Sequence, residues 1–269
     1  MSERSRTEAR NPRARSLSTL ATREILELMN DEDAGVPAAV RAALAALERA
    51  VDAIVEALRA GGRLRYVGAG TSGRLGVLDA SEAPPTFGVD PDLVRGIVAG
   101  GDRALRESVE GAEDDADAGA RDARAHCRAG DVVVGISASG KAPYVLAALA
   151  AAREIGARTA AITCDGSSPL AATAEIPIVI DVGPEVVAGS SRLKAGTATK
   201  LVLNMLSTAA MIRLGRTRDD LMADLRAANA KLRERAVSIV ASETGLAPDD
   251  ARARLERAQW DVRRAIAER

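Results

Sequence analysis

Carboxylates and hydroxyls are the side chains of this sequence best placed to do chemistry, because the other reactive residues are few and scattered. The one histidine, His126, lies in DARAHCRAG, a polar helical stretch ahead of a strand, and the two cysteines, Cys127 and Cys164, have no second Cys/His cluster to join. Neither a zinc site nor a disulfide framework can be built from that inventory, and His126 reads as a packed or solvated side chain. Acid–base work must therefore rest on carboxylates. Glu82 stands between an apolar segment and the Pro84–Pro85 pair in SEAPPT, and Glu113 stands in SVEGAEDDAD beside Glu110, Asp114 and Asp115. By itself the second group reads as a solvated acidic helix start, and spacing does not choose among these acids.

The hydroxyls fall in two glycine-rich turns, VGAGTSGR and VGISASGK. In the first, Gly68, Gly70 and Gly73 let the backbone approach a ligand, and Gly135 and Gly140 do so in the second. Thr71, Ser72, Ser137 and Ser139 then sit at expected helix N-termini, where free N–H groups and the helix dipole favour an anion. The pattern is a phosphate cradle that needs no metal. It is not a P-loop, since the Lys-Ser/Thr ending is absent, and no acid ends the second strand as a dinucleotide fold requires.

The elements that must position these turns follow from periodicity. Apolar residues recur at helical spacing over 17–30 and 36–60, with Gly61 and Gly62 as a stop. Strands are expected at RLRYVG, at 93–101, at DVVVGI, at 159–165 and at 176–183, with helices at 143–155 and 190–215. Pro84 and Pro85 are expected to break any helix after the first turn. The acid-rich stretch 102–128 reads as helix broken near Gly111, and the chain from 218 onward reads as helical, with Pro248 in a first turn and a small three-helix appendage at the end. Strands separated by helix-length segments imply a parallel sheet covered on both faces. The expected division is an N-terminal arm and helices at 1–55, a ligand-binding domain at 56–219 and a helical region at 220–269.

Composition narrows the partners. Lys and Arg number 37 against 38 Asp and Glu over 269 residues, a formal charge of −1, so no electrostatic pull on nucleic acid is expected. One Trp, two Tyr and one Phe are too few for a stacking platform, so polar groups must hold any sugar. No apolar run approaches the roughly 20 residues of a membrane span. The basic N-terminal arm, MSERSRTEARNPRAR, is followed by no apolar leader segment and reads as a loose, solvated arm of a cytoplasmic protein.

Four runs, VGAGTSGRLGVLDASEAPPTFGV, ESVEGAEDDADAGARD, VVVGISASGKAPYV and EVVAGSSRLKAGTATKLVLNMLSTAAMIRLG, together resemble the N-acetylmuramic acid 6-phosphate etherases of the sugar isomerase (SIS) superfamily, over nearly the whole chain. The resemblance implies a flavodoxin-like α/β fold, a parallel SIS-domain sheet flanked by helices, acting as a homodimer without metal or cofactor. It implies cleavage of a lactyl ether, with Glu82 as general acid and Glu113 as the second catalytic glutamate; the chemistry assigns Glu113 to proton removal at C2, and Glu82, between apolar residues and two prolines, is the carboxyl expected to be kept protonated by burial. The sugar phosphate would be held by Thr71, Ser72, Gly73, Ser137, Ser139 and Gly140, with Lys141, Ser190 and Lys194 as further contributors. Two departures from the family pattern are SASGK in place of SASGR and Ala142 in place of a threonine, which removes one hydroxyl from the cradle. The alternatives within the superfamily are a sugar-phosphate sensor, which would not need both glutamates, and an aldose–ketose isomerase, which would release no lactate.

Overall fold

The computed structural model describes residues 6–268. Helices α1 (Thr22–Asp33), α2 (Val36–Ala42) and α3 (Leu44–Arg59) lead into strand β1 (Leu64–Gly68), helix α4 (Gly70–Phe87) and strand β2 (Val94–Val98). Then come α5 (Ala116–His126), β3 (Val132–Ile136), α6 (Pro143–Ile155), β4 (Arg158–Thr163), the short α7 (Pro169–Thr173), β5 (Ile176–Val179) and the long α8 (Lys194–Arg213). The five strands pair in the order β2-β1-β3-β4-β5, all parallel. The order reverses between β1 and β3, and in open α/β sheets the crevice at such a reversal is where ligands bind.

Strand sequence explains the layering. β1 and β3 are buried along their whole length, and alternate residues point to opposite faces. Leu64, Tyr66, Val132, Val134 and Ile136 enter a core with α2, α3, α4 and α8, whereas Val67 and Val133 enter a second core with α5, α6 and α7. A third, smaller core joins α9 (Ala230–Thr244), α10 (Pro248–Arg257) and α11 (Val262–Ala267) with Leu225. Among the described residues no helix is long and apolar enough to cross a membrane.

Four expectations need correction. Pro84 and Pro85 do not break α4, which runs through both to Phe87 and ends at Gly88 in the left-handed conformation. The prolines forfeit two ladder bonds only near the helix end, and burial of Ala83 and Phe87 in the core offsets the loss. The stretch after β2 is not a helix broken at Gly111 but a short 3-10 turn, Gly101–Leu105, followed by loop, because α5 starts only where the Asp115 side chain accepts from the Ala118 N–H. Likewise 218–229 is irregular, and α9 begins where Asn229 caps Leu232. The first five residues of the N-terminal arm lie outside the described residues, but from Thr7 to Asn11 the arm is not loose: Asn11 Nδ2 donates to the Pro184 carbonyl at 3.2 Å, and Gly189 N–H donates to the Thr7 carbonyl at 3.1 Å. Thr7 and Asn11 are buried by these contacts.

Candidate active site

At the C-terminal ends of β1 and β3, adjacent in register with Gly68 beside Ile136, both glycine-rich turns open into one cleft of about 270 Å³. Its hydroxyl-bearing residues are Thr7, Thr71, Ser72, Ser137, Ser139 and Ser191, and its carboxylates are Glu8 and Glu113. A neighbouring cleft of about 240 Å³ shares Ala69, Gly70 and Glu113 and extends the space toward Arg74 and Ser108.

The first turn is close-packed. A Cβ on Gly68 would lie 2.6 Å from the Gly73 nitrogen, and one on Gly73 would lie 2.6 Å from the Gly68 carbonyl oxygen. Only a Gly–Gly pair lets α4 start this near the strand end, so the first-turn N–H groups stand over the cleft. In the second turn Gly140 adopts φ +63° with its α-carbon against Ser168, and its N–H donates to Ser137 Oγ at 3.1 Å. The carbonyl of Ala138 accepts from Thr163 Oγ1 and the Cys164 N–H, which pins this turn to the end of β4. α6 begins beyond it at Pro143, so Ser137 and Ser139 belong to the turn rather than to a helix N-terminus.

Glu113 sits in the loop before α5 with an exposed carboxylate that lines the cleft. Its carbonyl accepts from the Tyr144 N–H at 3.0 Å, tying the loop to the first turn of α6. Of the acids in that segment, Glu110 and Asp114 face only the neighbouring cleft and Asp115 is spent on capping α5. Tyr144 is fixed in turn by its phenol, which donates to Asp122 at 2.5 Å; burial first, and the bond to Asp122 second, push that phenol's pKa up.

Glu82 is elsewhere. It projects from the solvent face of α4, twelve residues and about 18 Å along the helix from Gly70. The burial expected from its apolar neighbours is not found, since Ala83 and Phe87 take the inner face of the helix and Glu82 the outer one.

Lys194 also lies outside the cleft: its ammonium is buried 2.6 Å from Glu32. The start of α8 is closed to an external anion, because Glu185 accepts from the N–H groups of Lys194 and Ala195 at 3.0 Å each. Lys141 is exposed and Ser190 half-buried, and neither lines the cleft, although Gly189 and Ser191 on either side of Ser190 do. His126 ends α5 at the opposite end of the sheet, beside a groove of about 710 Å³ along the free edge of β2. That groove holds neither glycine-rich turn. The residues sequence reasoning missed are Ser191, Thr7 and Glu8; the last two reach the cleft on an arm held to the loop before α8 and, through Arg13, to Asp31 and Glu32 of α1.

With this geometry in view, comparison with known proteins is decisive. The chain is 54% identical to the N-acetylmuramic acid 6-phosphate etherase of Symbiobacterium thermophilum over 260 residues, covering 97% of this chain and 87% of that one. It is 52% identical to the enzyme of the same name from Pectobacterium atrosepticum, covering 96% and 86%. This chain belongs to the N-acetylmuramic acid 6-phosphate etherase family. Residues 46–153 match the glucokinase regulatory protein N-terminal SIS domain, and residues 112–209 match the SIS domain. A phosphoheptose isomerase from Francisella tularensis superimposes with a TM-score of 0.55 at 17% identity, over 72% of this chain and all of that one; at that identity the likeness bears on fold alone. The flavodoxin-like SIS architecture expected from the etherase resemblance is thus the observed one.

Proposed function

We propose that this protein cleaves the lactyl ether of N-acetylmuramic acid 6-phosphate, giving N-acetylglucosamine 6-phosphate and D-lactate. The observation that carries the reading is the meeting of Glu113 with Thr71, Ser72, Ser137 and Ser139 in a single cleft at the sheet's reversal point. The hydroxyls and the first-turn N–H groups of α4 hold the phosphate dianion.

The chemistry needs no more than carboxylates. In the ring-opened sugar the C2 hydrogen is α to an aldehyde, so Glu113 removes it as a proton and the C–H electron pair is held as an enolate. That pair then forms the C2–C3 double bond as the C3–oxygen bond breaks, and lactate leaves with a proton from a second carboxyl group, which we assign to Glu82. Water adds at C3 in the reverse sense, giving one proton to the acid's conjugate base while C2 recovers a proton from Glu113. Each such group contributes roughly 10²–10⁴-fold. We further propose that the enzyme is a homodimer that works in the cytoplasm; the free, buried thiols of Cys127 and Cys164 support a reducing compartment.

Lactate release from N-acetylmuramic acid 6-phosphate tests the reading, with wild type beside Glu113→Gln. Release by wild type and a loss of at least 100-fold in the folded variant are expected. Binding of the sugar phosphate by wild type without any lactate would replace the enzyme with a sensor.

A further inference from the structure

Resting on the etherase reading, we propose that Arg74 determines which ether is accepted: its guanidinium pairs with the carboxylate of the lactyl group in the cleft beside the phosphate cradle, and so fixes the leaving group next to Glu113.

The substrate carries two anionic groups, a phosphate at C6 and a carboxylate on the ether at C3, and the hydroxyls and first-turn N–H groups account only for the first. The cradle's own charged residues are both acids, Glu8 and Glu113. The neighbouring cleft holds Glu110, Glu113 and Asp114, and among the described residues that line either cleft Arg74 is the one cation. Without it a lactyl carboxylate placed there would face like charges alone, which disfavours the ionised form.

The helix and the connectivity of the sugar set the position. Arg74 stands one turn after Gly70 on α4, and residues four apart share a face. Gly70 and Glu113 line both clefts. C3, which bears the ether, is one bond from C2, where Glu113 removes the proton. With C2 at Glu113 and the phosphate in the cradle, the ether substituent extends into the cleft that Arg74 lines. That cleft, of about 240 Å³, has a wall for each half of a lactyl group: Ala99, Ala104 and Val109 for the methyl, Arg74 and Ser108 for the carboxylate.

The guanidinium is already oriented. Its Nε donates to the Ala104 carbonyl at 2.8 Å and its Nη2 to the Glu107 carbonyl at 2.9 Å. These bonds hold the plane of the fork and use two of its five N–H groups, so that both N–H groups of Nη1 and one of Nη2 have no acceptor among the described residues. A carboxylate takes two parallel N–H groups from such a fork. An arginine that served only to pin the segment after β2 would make the same two carbonyl bonds but would be blind to the charge of the ether.

The test pairs a change in the protein with a change in the substrate. Wild type and Arg74→Gln are assayed for N-acetylglucosamine 6-phosphate formed from N-acetylmuramic acid 6-phosphate and from its amide, in which a neutral carboxamide replaces the carboxylate. In kcat/KM wild type should favour the acid by about 10- to 150-fold, the worth of a charge-assisted bond, and in Arg74→Gln that preference should fall to within about twofold. Equal losses on both ethers, or no preference in wild type, overturn the proposal. N-acetylglucosamine 6-phosphate keeps the phosphate and lacks the carboxylate, so it should bind both proteins alike; weaker binding by the variant would assign Arg74 to the phosphate and overturn the proposal as well. If Arg74→Gln does not fold, Arg74→Lys, which keeps the cation and gives up the fork, takes its place: a reduced preference sustains the pairing and the full wild-type preference sinks it. Should wild type cleave neither ether, the etherase reading fails separately, and calorimetry decides the pairing. Tighter binding of the acid than of the amide, lost in the variant, sustains it; equal binding of the two sinks it.

Discussion

Replacing Gly73 by alanine tests whether the phosphate cradle depends on how closely α4 approaches the end of β1. The added Cβ would lie 2.6 Å from both the Gly68 carbonyl oxygen and Val98 Cγ2, whereas ordinary contact begins at 3.4 Å, so the first turn of α4 must retreat by about 0.8 Å. A hydrogen bond of about 2.9 Å to a bound phosphate would stretch to about 3.7 Å, past the useful limit. Losing one charge-assisted bond costs about 1.5–3 kcal/mol, an increase in KM of about 10- to 150-fold. The same overpacking lowers stability by about 1–3 kcal/mol. The two effects are separated by Gly245→Ala, at the left-handed cap of α9, where φ is +73° and nothing lies within 4 Å of the new methyl; this change strains the backbone by about 1–2 kcal/mol far from the cleft. KM for lactate release and urea midpoints, measured on both variants, should show a KM effect for Gly73→Ala alone. A folded Gly73→Ala enzyme with wild-type KM would refute the view that the first-turn N–H groups bind the phosphate.

Two further predictions concern what holds the site in place. Buried Asp79 on α4 accepts from Tyr66 Oη at 3.0 Å, Asn204 Nδ2 at 2.8 Å and Ser207 Oγ at 3.2 Å; Asp79→Ala leaves two buried hydroxyls unpaired and should cost about 2–4 kcal/mol by urea unfolding, and a loss under 0.5 kcal/mol would show that the network is replaceable. Burial pushes the Glu32 carboxyl up, but the Lys194 ammonium, with Asn11 and Arg13, outweighs it and holds the group below its ordinary value near 4.5. A depressed folded-state pKa adds stability that is complete above the ordinary value and lost as pH falls through the depressed one. Lys194→Met should therefore flatten the acid limb of the stability profile, and an unchanged limb would place the effect elsewhere.

The sequence by itself determined the parts of this protein whose causes are local. Strand-to-turn junctions at Gly68–Gly73 and Gly135–Gly140 are legible because a tight turn needs glycine within a few residues, and the buried strands β1 and β3 are legible because a two-sided core needs continuous apolar runs. Pro248 and Gly245 likewise punctuate the helices they bound. Glu82 and Glu113 could be named from the etherase resemblance, but not located. Where they stand was decided by tertiary structure: α4 passes through Pro84 and Pro85 because Ala83 and Phe87 are held in a core that no local propensity encodes, and that continuation turns Glu82 outward. The arm at Thr7–Asn11 becomes a wall of the cleft through bonds to Pro184 and Gly189, and the Asn11–Pro184 bond spans 173 residues of chain. The acids around Glu113 were separated in the same way, by a capping bond and by the hold of Tyr144 on one carbonyl. Periodicity reports which residues share a face of one element; which face meets the cleft depends on contacts between elements distant in sequence, and these exist only in the folded chain.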